Sequence, residues 1–302
     1  MEHLDEIRAL CEAAGCAYVL DAPMRDYTTF RIGGPAAILL KPKSIGEICW
    51  IRQALSGLAP IWFLGKGSNL LIPDEGVPGV VVLLGPDFSG IEAAEDGETL
   101  ICQAGAPLMK AAKTALDRGL SGLEFAWGIP GTVGGGVYMN AGAYGGEMKD
   151  VVLWCEHVDG EGNLRRLSGE ELEFSYRHSV YSGKSLCIVR TALRLQKGDP
   201  AVIRARMDEL MEKRRSKQPL ELPSAGSAFK RPEGAYAAAL IEECGLKGLR
   251  VGGAMVSEKH SGFIVNAGDA TCADVEELIR QVQEAVLRRT GYRLEPEVGS
   301  FR

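Results

Sequence analysis

The feature that most restricts how this chain can fold is a dense cluster of glycines near its middle. Nine glycines occur between Gly122 and Gly146, in a chain with 38 glycines among 302 residues, where an average protein has about 7% glycine. Glycine lets the backbone approach a neighbour or a ligand closely, because no Cβ atom intervenes, but it costs conformational entropy on folding. This density therefore indicates a segment whose backbone N–H groups point at an anionic ligand.

A shorter cluster, called the first because it comes earlier in the chain, reads Gly65-Lys-Gly-Ser-Asn-Leu-Leu71 and directly follows a predicted strand. The cluster from Gly122 to Gly146 is called the second. It is not a dinucleotide-binding fingerprint of the Rossmann type, because the third glycine is missing and no helix opens after it. It is not a Walker loop either, because that motif needs a further glycine ahead of its Gly-Lys-Ser/Thr. Together, the two clusters predict a dinucleotide held by backbone amides outside the Rossmann fold.

Composition and charge narrow the class of protein. The net charge is -6, which argues against a nucleic-acid-binding surface spread over the whole protein. The eight cysteines show no Cys-x-x-Cys pair and no zinc-site spacing, so we expect reduced thiols and no metal. The longest apolar run, 80–84, is far shorter than the roughly 20 residues of a membrane helix, and the acidic N-terminus does not read as a signal peptide. We therefore expect a cytoplasmic protein without membrane insertion.

Hydrophobic periodicity predicts an α+β fold. Apolar residues at helical spacing predict helices, and short apolar runs bounded by glycine or proline predict buried strands. The predicted helices cover residues 4–14, 44–55, 107–118, 201–217, 235–244 and 273–289. The predicted strands cover residues 36–40, 61–64, 80–84, 99–103, 151–157, 186–195 and 262–266. A change of composition near residue 200 separates the remainder of the chain as an α+β unit of its own.

The two glycine clusters belong to a longer series of motifs. The series reads Gly65-Lys-Gly-Ser-Asn-Leu-Leu71, Gly128-Ile-Pro-Gly-Thr-Val-Gly-Gly135, Met139-Asn-Ala-Gly-Ala-Tyr-Gly145, Ser175-Tyr-Arg-His-Ser179, Pro223-Ser-Ala-Gly-Ser-Ala-Phe-Lys230, Val256-Ser-Glu-Lys-His-Ser-Gly-Phe-Ile-Val-Asn266 and Leu294-Glu-Pro-Glu-Val298. In this order the motifs closely resemble those of the UDP-N-acetylenolpyruvoylglucosamine reductases. At this length the chain resembles the shorter class of that family, which lacks the extra loop elements that place a tyrosine over the substrate.

The resemblance implies a three-domain α+β flavoprotein. Two FAD-binding subdomains of the vanillyl-alcohol-oxidase type would cover residues 1–85 and 86–200, and a substrate-binding domain would cover 201–290. Residues 291–302 would return to the FAD-binding domains. The implied cofactor is non-covalent FAD, with NADPH as co-substrate. The implied activity, in a monomer, is reduction of UDP-N-acetylglucosamine-enolpyruvate to UDP-N-acetylmuramate during peptidoglycan precursor synthesis.

The resemblance also implies roles for individual residues. The implied catalytic residues are Arg177, Ser227 and Glu297. The implied substrate-binding residues are Tyr176, Lys217, Gln218, Lys230 and Arg231. The residues implied to bind FAD come from the two glycine clusters: Gly65, Lys66, Gly67, Ser68, Asn69, Leu70, Gly128, Ile129, Pro130, Gly131, Thr132, Gly134, Gly135, Asn140, Ala141, Gly142 and Ala143.

The chemistry of the three implied catalytic residues suits the reduction of an enolpyruvyl ether. Hydride addition to the terminal carbon leaves negative charge on the adjacent carbon and its carboxylate. The planar guanidinium of Arg177 can stabilise that charge through a bidentate contact. The hydroxyl of Ser227 can deliver a proton if neighbouring charges polarise it, and Glu297 can hold the arginine or a proton in place.

Basic residues close to Ser227 in sequence offer a cationic patch for a diphosphate, despite the acidic total. They are Arg215, Lys217, Lys230 and Arg231, together with the polar Gln218. A solvated, charged helix end would give the same pattern, so both interpretations of these residues stay open. His260, within Glu-Lys-His-Ser, is typical of a structural histidine.

Two other classes of function are alternatives. A flavin-dependent oxidase of the same superfamily would react with oxygen, and many such oxidases attach flavin covalently through a histidine or cysteine near the glycine loops. Cys155 and His157 lie past the second cluster but form no recognisable attachment motif. A non-catalytic nucleotide-binding module would keep FAD and show no turnover.

Overall fold

A computed structural model describes residues 1–301 of the chain. The helices are α1 (Leu4–Ala14), α2 (Ile45–Leu55), α3 (Leu108–Asp117), α4 (Val133–Tyr138), α5 (Pro200–Lys217), α6 (Ala237–Glu243) and α7 (Cys272–Thr290). The strands are β1 (Tyr18–Pro23), β2 (Pro35–Leu40), β3 (Ile61–Leu64), β4 (Val77–Leu83), β5 (Ile91–Ala93), β6 (Thr99–Gln103), β7 (Leu120–Ser121), β8 (Gly142–Ala143), β9 (Gly146–Glu147), β10 (Val152–Val158), β11 (Leu164–Ser168), β12 (Cys187–Arg194), β13 (Gln196–Lys197), β14 (Ser224–Ser227), β15 (Arg250–Val251), β16 (Ala254–Val256) and β17 (Phe263–Asn266).

These elements form two compact units. Unit 1 contains Met1–Leu20, Ile38–Lys66 and Pro78–Lys213. Unit 2 contains Asp21–Ala37, Gly67–Val77 and residues 214–301. The chain thus passes between the units several times, and the three-domain division expected from the sequence stays a prediction.

The predicted helices and strands are present, with ends shifted by a few residues. Helix α2 begins as its sequence indicates, because the Ser44 side chain accepts a hydrogen bond from the Glu47 amide at 3.1 Å. The Glu47 carboxylate reaches back to the amide of Lys43 at 3.1 Å, one residue before the position that a capping box predicts. Strand β1 was not predicted, because its sequence has no clean alternation of apolar and polar residues.

Unit 1 contains the larger hydrophobic core. Its main sheet has the strand order β11-β10-β12-β6-β5, and every pair is antiparallel. A second sheet has the order β1-β2-β4-β3, in which β3 and β4 run parallel. Fully buried Leu100 and Cys102 of β6 and Val80 of β4 belong to one core cluster with residues of α1, α2 and α3. This core supports the glycine-rich segments on its edge.

Within the glycine-rich segment the chain forms a short helix that the sequence did not predict. Thr132 is the N-cap residue of α4, and its hydroxyl accepts from the Gly135 amide at 3.3 Å. The amide of Gly134 donates to the carbonyl of Ala104 at 2.8 Å. A Cβ atom on Gly134 would lie 2.7 Å from the Cβ of Ala104, so α4 can pack here only with glycine at position 134.

Unit 2 is built on the four-stranded sheet β14-β17-β16-β15. Helix α7 packs on this sheet through Val275, Leu278 and Val282, which are buried. Phe30 and Leu71, from the two short N-terminal segments of the unit, complete the same core cluster. These segments therefore share one hydrophobic core with the C-terminal part of the chain.

Cysteine state and helix hydrophobicity can be compared with the sequence predictions for the described residues. Their eight cysteines are free thiols, six of which are buried, as the apolar neighbours of these residues predicted. None of the helices in residues 1–301 is long and apolar enough to cross a membrane.

Replacing Gly134 with alanine tests the tight packing of α4. We expect Gly134→Ala to lower the free energy of unfolding by about 1–3 kcal/mol, the usual cost of overpacking a well-packed site. The matched control is Gly135→Ala, because a Cβ there would lie 3.5 Å from the Thr132 hydroxyl, an ordinary contact. Denaturant unfolding measures both variants. Equal stability of the two variants would contradict this account of α4.

Candidate active site

The two glycine clusters meet in unit 1 at Gly65 and Thr132. A Cβ atom on Gly65 would lie 2.4 Å from the Thr132 hydroxyl oxygen, so only glycine allows this approach. Both segments keep partly exposed backbone here, at residues 65–66 and 128–131. The structure therefore brings together the part of the first cluster that lies in unit 1 and the second cluster, as the sequence predicted.

The first cluster continues into unit 2 at Gly67. This residue has a φ of 59°, in the left-handed region, and a Cβ on it would lie 2.5 Å from the carbonyl oxygen of Tyr27. The Gly67 carbonyl accepts from the amide of Thr29 at 3.3 Å. The Thr29 hydroxyl in turn donates to the carbonyl of Ser224 at 2.7 Å. Within unit 2, the first cluster is thus linked to strand β14.

The chemistry of the second cluster suits an anionic cofactor. From Gly128 to Gly146 the sequence contains no charged residue, so no carboxylate would repel a pyrophosphate. The amides of Val133 and Gly134 donate to the carbonyls of Ala106 and Ala104. Position 134 therefore contributes close packing, and cofactor contacts from this cluster would have to come from its other residues.

Asn140, which the sequence predicted as a polar contact to FAD, has a side chain that is fully used inside the protein. It is completely buried and has a left-handed φ of 42°. Its Nδ2 donates to the Glu147 carboxylate at 2.7 Å and to the Ser175 carbonyl at 2.9 Å. Its Oδ1 accepts from the Lys149 amide at 2.9 Å. Any contact of this residue with a cofactor would therefore come from its backbone.

Tyr176 and Arg177 lie at the tip of a tight turn in unit 1. The backbone of Ser175 exchanges two hydrogen bonds with that of His178, at 3.1 and 3.2 Å. Arg177 has a φ of 55°, a left-handed conformation that is uncommon for a residue with a side chain. Its Nη2 donates to the carbonyl of Gly142 at 3.4 Å. The structure thus brings Arg177 to the second glycine cluster.

The turn that carries Arg177 is fixed at both of its ends. On one side the Ser175 carbonyl accepts from Asn140. On the other side the hydroxyl of Ser179, which is completely buried, donates to the Tyr138 carbonyl at 2.8 Å. The guanidinium carbon of Arg177 lies 5.1 Å from the centre of the exposed Tyr176 ring. These contacts explain Ser179 of the Ser-Tyr-Arg-His-Ser motif, whose hydroxyl is used, whereas Ser175 contributes only its backbone.

Ser227 lies at the end of β14 in unit 2 and is exposed. Strand β14 pairs with β17, and the register shifts between Ser224 and Ser227. Gly226 has a left-handed φ of 78°. Irregularities of this kind re-aim a side chain at the edge of a sheet, and here the irregularity ends at the predicted proton donor.

The structure brings Glu297 next to Ser227 within unit 2. The Glu297 amide donates to the carbonyl of Ala228 at 2.9 Å. On the other side of the C-terminal segment, the Asn69 side chain donates to the Glu297 carbonyl at 3.0 Å. The amides of Leu71 and Gly299 complete this ladder, donating to the carbonyls of Gly299 and Asn69 at 2.9 Å. The C-terminal segment is thus hydrogen-bonded both to the first glycine cluster and to the Ser227 strand.

The predicted substrate-binding cations of unit 2 lie in two places. Lys230 directly follows the Ser227 segment and forms an exposed ion pair with Glu295 at 3.5 Å. The guanidinium of Arg231 lies 4.0 Å from the centre of the exposed Tyr236 ring. Lys217 ends helix α5, and the amide of Gln218 donates to the carbonyl of Arg214 at 2.8 Å. Their binding of a diphosphate stays a prediction.

His260 is a structural residue, as its sequence context indicated. Its Nδ1 accepts from the Gly262 amide at 3.2 Å, and its ring packs edge-on against Phe263 with 5.0 Å between ring centres. Burial, the largest cause, and the nearby charges of Lys247 and Lys217 lower the pKa of His260. The imidazole is therefore neutral at pH 7.

Sequence reasoning missed three features of this site. It took Asn140 as a direct cofactor ligand and did not identify the anchoring role of its side chain or of Ser179. It also missed Lys247, which lies close enough to His260 to affect its pKa. No local pattern could have found the Asn140 contact, because 35 positions separate Asn140 from Ser175. Lys247, in Gly-Leu-Lys-Gly, could have been found as a cation flanked by turn residues.

Two family models match this chain, one in its N-terminal part and one in its C-terminal part. A model described as an FAD binding domain matches residues 36–168, and one described as the UDP-N-acetylenolpyruvoylglucosamine reductase C-terminal domain matches residues 218–301. The first match covers both glycine clusters, and the second covers Ser227 and Glu297. The fold is therefore that of an FAD-binding α+β protein, and the predicted fold class is confirmed.

Whole-chain comparisons narrow the class to one family. The UDP-N-acetylenolpyruvoylglucosamine reductase of Exiguobacterium sibiricum is 46% identical over 93% of this chain and 92% of its own length. That of Caldanaerobacter subterraneus is 47% identical over 92% of each chain. The crystal structure of the Thermus caldophilus reductase superposes with a TM-score of 0.80 at 40% identity, covering 95% of this chain and 99% of that one. The chain belongs to the UDP-N-acetylenolpyruvoylglucosamine reductase family, a family of oxidoreductases.

Replacing Asn69 with alanine tests the ladder around Glu297. Losing one hydrogen bond of this kind lowers the free energy of unfolding by about 1 kcal/mol. We expect faster amide hydrogen exchange at Leu71 and Gly299, because their partners shift when the Glu297 carbonyl is released. The control Asn163→Ala removes side-chain hydrogen bonds in an exposed turn of unit 1 and should leave both amides unchanged. Unaltered exchange in Asn69→Ala would show that this side chain does not hold the segment.

Proposed function

We propose that this protein reduces the enolpyruvyl group of UDP-N-acetylglucosamine-enolpyruvate to UDP-N-acetylmuramate, with NADPH as reductant and FAD as cofactor. The reaction adds one hydride and one proton across the carbon–carbon double bond. It would supply the peptidoglycan precursor pathway and hence cell-wall growth, cell shape and division. We expect the enzyme to act in the cytoplasm as a monomer.

The observation that carries the proposal is the ladder in which the C-terminal segment joins Glu297 to Ala228 and to Asn69. It ties two predicted catalytic residues to a predicted cofactor loop within one unit. The Glu297 backbone donates to the Ala228 carbonyl and accepts from the Asn69 side chain, which fixes the position from which its carboxylate would act. The ladder therefore favours a catalytic role for Glu297 over the alternative of a surface carboxylate.

The cofactor would be held by the two glycine clusters. In unit 1, Gly65, Gly128 and Gly131 are partly exposed and Gly135 is exposed, and the segment from Gly128 to Gly146 is uncharged, which suits a pyrophosphate. Bound FAD would take a hydride from NADPH and supply it to the substrate. The protein's own part is to bind and orient the reactants and to handle charge and the proton.

Arg177 would bind the substrate carboxylate. Its guanidinium lies next to the exposed Tyr176 ring and above the second glycine cluster, where the Gly142 carbonyl accepts from it. A fixed cation beside the carboxylate stabilises the negative charge that develops as hydride arrives. The left-handed backbone at Arg177 costs energy, and its retention is consistent with a functional constraint on the direction of this side chain.

Ser227 would deliver the proton to the carbon that bears the carboxylate. An isolated serine hydroxyl is a weak acid, so neighbouring charge must assist it. Glu297, whose amide is bonded to the carbonyl of the residue after Ser227, would orient the hydroxyl. The cations Lys217, Lys230 and Arg231, with Gln218, would bind the diphosphate of the substrate.

The test is anaerobic stopped-flow spectroscopy of the FAD-loaded protein. NADPH should bleach the flavin absorbance, and the enolpyruvyl sugar should restore it with formation of the muramate product. We expect Ser227→Ala to slow this second step by about 10²- to 10⁴-fold, the usual contribution of a general acid, and to leave bleaching by NADPH unchanged. The control Ser224→Ala lies on the same strand and should behave as wild type.

The competing function is that of a flavin-dependent oxidase, and the same apparatus separates the two. An oxidase would be reoxidised rapidly by oxygen, and the enolpyruvyl sugar would have no effect on its reduced flavin. If the sugar fails to restore the absorbance of the wild-type protein, the proposed reductase function is wrong. If both Ser227→Ala and Ser224→Ala lost the second step, the proposed role of Ser227 as proton donor would be wrong, and the reductase function would stand.

A further inference from the structure

We propose that Asn140 is a positioning residue for Arg177: its buried carboxamide fixes the turn that carries the arginine to the second glycine cluster. The inference rests on the proposed function, because it gives Arg177 the role of binding the substrate carboxylate. It adds a requirement that neither the family resemblance nor the motif itself contains. The side chain of Asn140 acts on the protein, through Ser175, and not on the cofactor.

The Asn140 carboxamide uses all of its hydrogen-bonding groups within the protein. The group has two N–H donors, and each meets an acceptor: the Glu147 carboxylate at 2.7 Å and the Ser175 carbonyl at 2.9 Å. Exchanging its oxygen and nitrogen would direct the oxygen at both acceptors, so the orientation is fixed. The Ser175 carbonyl also accepts from the His178 amide at 3.2 Å, so losing the Asn140 donor would leave only the bond within the turn and remove its link to the buried Asn140.

The shape of the turn also supports the proposal. Ser175 and His178 are paired across two residues, and Arg177 holds a left-handed φ of 55° at the tip. A conformation of this kind persists only where the surroundings enforce it. The restraints on this turn include the Asn140 contact on one flank and the Ser179–Tyr138 contact on the other. Both come from the end of α4 and the residues just after it.

A small displacement of Arg177 would lower the rate of reduction. A bidentate contact between a guanidinium and a carboxylate depends on the distance between the two groups and on the alignment of their planes. A misplacement of about 1 Å in a catalytic group costs up to about 100-fold in rate. Loosening the Ser175 end of the turn should therefore weaken substrate binding and reduction without removing any group that touches the substrate.

The chain offers a charge-swap design that isolates the contact with Ser175. In Asn140→Asp alone, the new carboxylate would face the Glu147 carboxylate, so this variant reports repulsion as well. In the double variant Asn140→Asp with Glu147→Gln, the glutamine amide donates to the aspartate, and the aspartate still accepts from the Lys149 amide. The donor to the Ser175 carbonyl is replaced by a carboxylate oxygen, which cannot hold that carbonyl and repels it. Glu147→Gln alone is the matched control.

We expect the double variant to retain FAD and to be bleached by NADPH within about threefold of the control. Its dissociation constant for UDP-N-acetylmuramate, measured by calorimetry, should rise at least about tenfold, and reoxidation by the enolpyruvyl sugar should slow by about 10- to 100-fold. Amide hydrogen exchange in the peptide that contains residues 175–179 should be faster than in the control. Equal exchange and equal product affinity would overturn the proposal.

A second variant covers the case in which the double variant does not fold. Ser179→Ala removes the other anchor of the turn and should change the same three quantities in the same direction. If FAD affinity and bleaching by NADPH fell as much as reoxidation did, the role of Asn140 would be general scaffolding and the proposal would be wrong. The exchange measurement needs no turnover, so failure of the reductase function in the wild-type protein would be distinguished from failure of this inference.

Discussion

The constraint on which the candidate site depends is the close approach of the Gly65 backbone to the Thr132 side chain. No side chain larger than hydrogen fits on residue 65, because its Cβ would lie 2.4 Å from the threonine hydroxyl. The same hydroxyl caps helix α4, and that helix can pack on Ala104 only through Gly134. The glycines are therefore required by close approach in the protein itself, and the ligand surface is a consequence of that packing.

Each predicted catalytic residue is tied to one of the glycine clusters by hydrogen bonds inside its own unit. In unit 1, the turn that carries Arg177 is held by Asn140 and by the carbonyl of Tyr138. In unit 2, Glu297 is held by Asn69 on one side and by Ala228, next to Ser227, on the other. Within each unit, the segments that would bind the cofactor thus also hold the backbone that carries the predicted catalytic residues.

Local chemistry in the sequence predicted most of the fold. Periodicity identified helices such as α1, and Ser44 correctly predicted the start of α2, because caps and apolar spacing are local signals. Helix α4 was missed, since its four central residues are mostly glycine, which disfavours helix; tertiary packing on Ala104 overrides that propensity. The side-chain role of Asn140 and the ladder at Glu297 join residues 35 and 228 positions apart, and no single-sequence pattern encodes such pairs.

The central claim is that backbone segments rich in glycine recognise the pyrophosphate of a dinucleotide. Calorimetric titration of the apoprotein with FAD and with FMN tests it most directly, because the two share the isoalloxazine ring and differ in the pyrophosphate and adenosine. The account predicts that FAD binds at least about 100-fold more tightly, a difference of about 2.7 kcal/mol. Equal affinity for FMN and FAD would contradict it.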